Sequence, residues 1–234
     1  MSTSDVTRLR ILSGLATKPA LLGSILPGFT TDTGVPVDTV FEPTSVLIEL
    51  ITGGEAFDVV LGVTTSVRNL AANGYVAADS IRHVARSGVG IAAAKAGEME
   101  APATVDDLIR ILCSARSVAY SRSGASGIYF AGLLDRLGIR DVIDAKATVL
   151  ESGFTATALV DGRADVAIQQ VSELLSVPGA VIVGTLPDDV QLFTEFSAGV
   201  SAASAFPSAA EELIRALVSG DASAAYVNTG LLRL

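Results

Sequence analysis

Residues 117–138 read SVAYSRSGASGIYFAGLLDRLG. An apolar run closes on Ser121, a loop of serines and glycines follows, and residues 126–138 carry apolar side chains at helical spacing until Gly138 stops them. A strand that opens into a helix through such a loop presents bare backbone N–H groups and short hydroxyls beyond its carboxyl end. The helix N-terminus adds unsatisfied donors and a positive dipole end, so an anion suits the loop. Arg122 strengthens that reading. Strand, loop and helix in this order are the building unit of an α/β protein with parallel sheet.

The same unit recurs along the chain. Leu9–Ser13 reads as a buried strand, followed by a helix with Thr17 as N-cap, Pro19 in the first turn and Pro27 as a kink. Residues 35–41 form a second strand, 44–52 a helix, Phe57–Leu61 a third strand, and Thr65–Asn73 a helix. Residues 82–95 are a long extended segment, and Thr104 caps a helix with acids in its first turn. Residues 146–151 form a strand, residues 155–175 give helix, turn, strand and helix, and 180–187 and 190–202 are extended. A last helix has Ser208 as cap and Gly220 as stop, followed by a short terminal segment. The rhythm strand–helix–strand–helix–strand occurs in residues 9–62 and again in 117–169. The chain is therefore read as α/β, with two similar lobes built on mainly parallel central sheets. Lobe 1 takes residues 1–82 and 198–234, lobe 2 takes 83–197, and the long extended segments pass between them.

Composition narrows the function. Half of the 234 residues are hydrophobic, yet no uncharged apolar run of about 18 residues exists, so no membrane segment is expected. The formal net charge of −9 and the absence of Trp argue against a nucleic-acid partner. The single cysteine, Cys113, rules out an internal disulfide and reads as a small core residue. The chain opens MSTSDVTRLRILSG with no basic stretch leading into an apolar core, so a cytoplasmic location is expected, or an extracytoplasmic one if the chain is a trimmed mature form.

In open α/β sheets ligands sit at the carboxyl ends of strands, facing helix N-termini. Four such places carry short polar residues: Ser13 with Gly14, then Glu42-Pro43-Thr44-Ser45, then Ser121 through Gly127, and Gln169-Gln170. Each alone reads as an ordinary cap, but four together read as a ligand site. Candidate ligand groups are Ser13, Thr44, Ser45, Ser121, Ser123, Gly124, Ser126, Gly127, Gln169 and Gln170, with Lys18, Arg86 and Arg122 as cations for a carboxylate. Glu42, Glu151, Glu173 and Tyr129 are the nearby groups able to move protons, with Glu42 and Glu173 the candidate catalytic pair. No phosphate-loop lysine, GxSxG elbow, HxxxH or CxxC is present, so no metal or cofactor is expected. His83, the only histidine, precedes the serine loop and reads as a surface or structural residue.

The chain resembles the molybdate-binding-protein-like branch of the type II periplasmic solute-binding proteins. The resemblance is carried by ILSGLATKPAL, EPTSVLIELITGGEAFDVVLG, VARSGVGIAAAKAG, SVAYSRSGASGIYFAGLLDRLGI and DGRADVAIQQVSELL, in this order over nearly the whole chain. It implies two α/β lobes hinged by two crossover strands and closing on a small ligand. It also carries over Ser13, Thr44, Ser45 and Ser126 as oxyanion donors. Two departures stand out: Gln169-Gln170 where molybdate binders tend to have a tyrosine, and Arg86 and Arg122 in or near site segments. They favour an organic carboxylate over molybdate.

The same branch is similar to aconitate isomerases, which shift a double bond by allylic proton transfer and need no cofactor. The resulting expectation is an enzyme that holds a small di- or tricarboxylate in the inter-lobe cleft and isomerises it. The alternatives are the solute-binding subunit of an ABC importer for molybdate or another small anion, with a permease as partner, and a cytosolic sensor.

Overall fold

The computed structural model describes residues 8–95 and 99–233. The opening residues inspected for an export signal, 1–7, lie outside them, as do residues 96–98 and 234. Nine strands form among the described residues: β1 (Leu9–Ser13), β2 (Val37–Phe41), β3 (Val59–Val63), β4 (Arg82–Ala93), β5 (Val118–Ser121), β6 (Ala147–Leu150), β7 (Val166–Gln170), β8 (Val181–Thr185) and β9 (Phe193–Val200). The fold is mixed α/β.

Contacts divide the chain into two compact units. The first takes in the described residues up to Arg86, Glu195–Asn228 and the chain from Leu232 onward; the second is Ser87–Thr194 with Thr229–Leu231. The division thus falls a few residues from the 82/83 and 197/198 boundaries expected from the sequence, and places residues 229–231 with the second unit. β4 and β9 each run from one unit into the other.

In the first unit β1 lies between β2 and β3, parallel to both, and β3 takes β9 antiparallel on its other side. Leu12, Leu47, Ile51, Val60, Val67 and Leu70 form a core between these strands and the helices Thr44–Thr52 and Thr64–Ala72. In the second unit β5 lies between β6 and β7, parallel to both, and β7 pairs antiparallel with β4, which also pairs with β8. One core cluster gathers large side chains such as Leu108, Leu112, Tyr120, Phe130, Leu133 and Ile168. The other is built on Ala119, Ala156, Ala158, Ala164 and Ala167 with Leu159 and Leu174. Small side chains let helices approach the sheet closely, which explains an apolar chain so poor in aromatics.

Several local expectations are corrected. The first helical stretch is composite, with a 3-10 turn Leu15–Thr17, a turn of α-helix Lys18–Ala20, a π-turn Leu21–Ile25 and an α-helix Leu26–Thr33. Pro27 has no N–H to give, and it falls in the first turn of the segment that restarts after the π-turn. Thr17 makes no side-chain cap, because its hydroxyl turns back to Gly14 O and Ser13. Ser208 lies inside the helix Pro207–Leu217, whose first residue is proline, and Gly220 begins a helix, Gly220–Asn228, rather than ending one. The helix Arg140–Asp144 has no counterpart in the sequence reading. Cys113 is only partly buried, at the margin of the large-residue core. Among the described residues no helix is long and apolar enough to cross a membrane.

Candidate functional site

In the first unit the candidates gather where β1, β2 and β3 end. Ser13 closes β1 and is fully buried; its Oγ lies 2.9 Å from Thr17 Oγ1, and both hydroxyls donate to Gly14 O at 3.2 Å. The backbone ties this strand end to its neighbours, with Gly14 N donating to Leu61 O (2.8 Å) and Glu42 N to Ser13 O (3.1 Å). Thr44 opens the helix Thr44–Thr52, and its Oγ1 accepts from Val63 N at 3.3 Å. A Cβ added at Gly62 would stand 3.0 Å from Thr44 Cγ2, so that glycine leaves room for the threonine. Ser45 is the next helical residue. Lys18 holds its ammonium 5.3 Å from the ring centroid of Phe41, the last residue of β2. Arg86 sits on β4 and exchanges both backbone hydrogen bonds with Leu232, at 3.0 and 2.8 Å.

In the second unit the loop after β5 is folded back on itself. Ser121, buried, accepts Gly124 N on its Oγ at 3.0 Å. Gly124 precedes the helix Ala125–Arg136 with extended backbone and no side-chain cap, so a main-chain turn feeds the helix start directly. Ser126 is buried in the first turn, and Gly127 packs so closely that a Cβ there would lie 1.8 Å from Ser121 O. The strand–loop–helix junction therefore requires glycine at 127. β5 and β6 end in register, Ser121 opposite Leu150, so their loops lie side by side. Arg122 N donates to Leu150 O (2.8 Å), Arg122 Nε to Glu151 Oε1 (2.7 Å) and Ser123 Oγ to Glu151 O (2.6 Å).

Gln169 and Gln170, read from the sequence as ligand donors, are spent inside the protein. Gln169 Oε1 accepts from Thr155 N (2.7 Å) and Thr155 Oγ1 (3.0 Å), while its Nε2 donates to Gly153 O (2.9 Å), pinning the loop after β6 to β7. Gln170 lies between Ser87 and Thr194. With Oε1 turned to the Thr194 hydroxyl (2.8 Å), its nitrogen donates to Ser87 O at 3.1 Å, and both ends are satisfied. Glu173, in the short helix Val171–Leu175, is buried. Burial pushes its carboxyl up to about 8; hydrogen bonds from the Gln170 backbone and the Gln169 amide oppose that rise only in part.

Glu42 is half-buried at the end of β2, and Glu173 belongs to the other unit, so the two candidate acids are built on separate scaffolds. Tyr129 donates to Val190 O at 2.6 Å and lies under Arg136, a structural arrangement. His83 is exposed and stands between Arg68 Nη2 (3.2 Å) and Ser197 Oγ (3.3 Å). A guanidinium only donates, so His83 Nε2 accepts there and Nδ1 carries the proton. Among the described residues no group of three or more His, Cys, Asp or Glu side chains could hold a metal ion. Thr17 and Thr155 are the residues at these strand ends that sequence reasoning did not select as site groups, and Glu151, read as a group able to move protons, accepts from Arg122 Nε; each acts through a partner that spacing cannot supply.

Comparisons with known proteins agree with this architecture. The chain is 32% identical to an aconitate isomerase from a Pseudomonas species, over 99% of this chain and 90% of that protein. The periplasmic molybdate-binding protein of Azotobacter vinelandii superposes with a TM-score of 0.81 at 18% identity, covering 97% of this chain and 99% of the other. The sulfate-binding protein SubI of Mycobacterium tuberculosis gives 0.74 at 18% identity, covering 96% and 86%. The sequence profile of the bacterial extracellular solute-binding proteins matches residues 9–232, and the chain belongs to that family.

Proposed function

We propose that this protein is a cofactor-independent isomerase that moves the double bond of a small unsaturated di- or tricarboxylate, as its aconitate isomerase relative is named for doing. The observation that carries the reading is the 32% identity to that enzyme over 99% of the chain. Allylic isomerisation needs anchored carboxylates, one group that removes a proton from carbon and returns it at the other end of the allylic system, and a site closed to water. Atoms balance without a co-reactant, because the proton taken from one carbon is replaced at the other as the double bond shifts.

The proposed anchors are the neutral donors of the second unit, Ser126 with the backbone N–H groups of the loop 121–127. Arg122 supplies formal charge. Glu173 is the proposed proton carrier, since a carboxyl titrating near 8 both accepts and gives up a proton close to neutral pH. Incubation with cis- and trans-aconitate in D₂O, followed by NMR, tests this. Deuterium should enter the allylic position of both isomers with wild type and not with Glu173→Gln. Absence of exchange with wild type, together with tight binding of another anion, rejects the isomerase.

A second reading, capture of a small inorganic oxyanion without chemistry, is favoured by one feature: buried serine and threonine hydroxyls at strand ends suit a multiply charged oxyanion. A thermal-shift screen separates the two, because a ligand raises the midpoint by mass action. The largest shift should come from an unsaturated tricarboxylate; the largest shift from molybdate or tungstate would select the second reading.

A further inference from the structure

Arg122 and Glu151 stand at the ends of neighbouring strands whose backbones are locked together. Arg122 N donates to Leu150 O at 2.8 Å and Ser123 Oγ to Glu151 O at 2.6 Å. Between these two anchors the side chains meet through a single hydrogen bond, Arg122 Nε to Glu151 Oε1 at 2.7 Å. Nη1 and Nη2 of Arg122 have no hydrogen-bond partner among the described residues. Arg140 shows the contrasting, saturated case: its Nε and Nη2 both bind Asp135 at 2.7 Å, and Nη2 also reaches Ala131 O at 2.6 Å.

The Arg122–Glu151 pair is 64% and 75% exposed, so it adds little to folding stability. What it does is restrict a side chain that otherwise has many rotamers. A carboxylate is recognised best by two guanidinium nitrogens in a fork, and ordering that fork in advance lowers the entropic penalty of binding.

We propose that Glu151 is a positioning residue for the ligand: it fixes Arg122 by Nε and leaves the Nη1 and Nη2 edge to take a substrate carboxylate. This inference rests on the carboxylate reading above and assigns Glu151 a role through Arg122, not a contact with substrate. The sign of each substitution follows from two opposed effects. Removing the acceptor frees the guanidinium and weakens binding, whereas removing only the negative charge relieves repulsion of an anionic ligand.

The test is calorimetric titration of trans-aconitate into wild type, E151A, E151Q, R122A and the R122A/E151A double variant, with thermal midpoints recorded to show that all are folded. E151A should bind roughly two- to tenfold more weakly, the range expected for ordering one long side chain. E151Q, which keeps an acceptor for Nε, should bind at least as tightly as wild type. In the R122A background E151A should weaken binding no further, and in turnover assays E151A should move KM more than kcat. Equal affinities across the Glu151 series, or tighter binding by E151A, overturn the positioning role while leaving the isomerase reading intact. A wild type that binds molybdate but no trans-aconitate overturns the carboxylate reading, and this inference with it.

Discussion

Gly127 and Gly132 lie on the same helix and respond to a methyl group in opposite ways. At Gly127 a Cβ would stand 1.8 Å from Ser121 O, so alanine must lift the helix start away from the serine loop. G127A should lose at least the upper part of the about 1–3 kcal/mol typical of overpacking, and ligand affinity with it. At Gly132 nothing lies within 4 Å, and G132A should gain about 0.5–1 kcal/mol by helix propensity alone. Urea unfolding of both variants checks the pair. Glu173 supplies a pH-dependent counterpart. Its carboxyl rises from 4.5 to about 8 on folding, so the native state binds more protons than the unfolded state across that window. Stability from this group is full below about 4.5, falls as pH rises, and is lost above about 8. E173Q removes the slope: it should match wild type at pH 4.5 and exceed it at pH 8.5 by an amount on the order of a few kcal/mol. Urea midpoints at the two pH values measure the difference.

The helix Val105–Ser114 is the element whose ends the sequence writes most openly. Thr104 Oγ1 accepts from Asp107 N at 3.1 Å and the Asp107 carboxylate accepts from Thr104 N at 3.1 Å, a reciprocal capping box. T104A should lose about 1 kcal/mol, seen in a thermal scan as a midpoint drop of roughly 2–4 °C for a chain of this size. Elements of this kind were legible because their determinants are local: β1, the helix Thr44–Thr52 and the Thr104 cap each depend on residues within a few positions. The π-turn before Pro27 and the helix opening at Gly220 were not, since packing decides whether a proline or glycine interrupts a helix or is absorbed by it. The candidate residues divide the same way. The placement of Ser13, Thr44 and the loop Ser121–Gly127 at strand ends and helix starts could be read, because those junctions are visible in the sequence. The commitment of Gln169 to Thr155, and of Arg122 to Glu151, could not be found. Those partners lie on other strands' loops, and register rather than spacing brings them together.

At the scale of the molecule, charge sets how the ligand arrives. A net charge of −9 repels a di- or trianion during its approach, while the neutral donors of the site exert little pull at a distance. Screening should therefore speed association. Between about 10 mM and about 150 mM salt, where the Debye length shrinks from roughly 30 to roughly 8 Å, the stopped-flow association rate for trans-aconitate should rise. A rate that falls with salt would mean that Arg122 and its neighbours steer the ligand despite the acidic surface.

The division of the chain also fixes an order of events during synthesis. The second unit is one continuous stretch, Ser87–Thr194, apart from Thr229–Leu231. The first unit begins earlier but gains its fourth strand only when β9 pairs Phe196–Val200 with β3, and the Arg86–Leu232 bridge joins residues far apart in the sequence. On the ribosome the continuous stretch of the second unit, Ser87–Thr194, is thus made before the first unit receives its fourth strand. The amino-terminal half waits, with the free edge of β3 exposed, until the chain that left it returns.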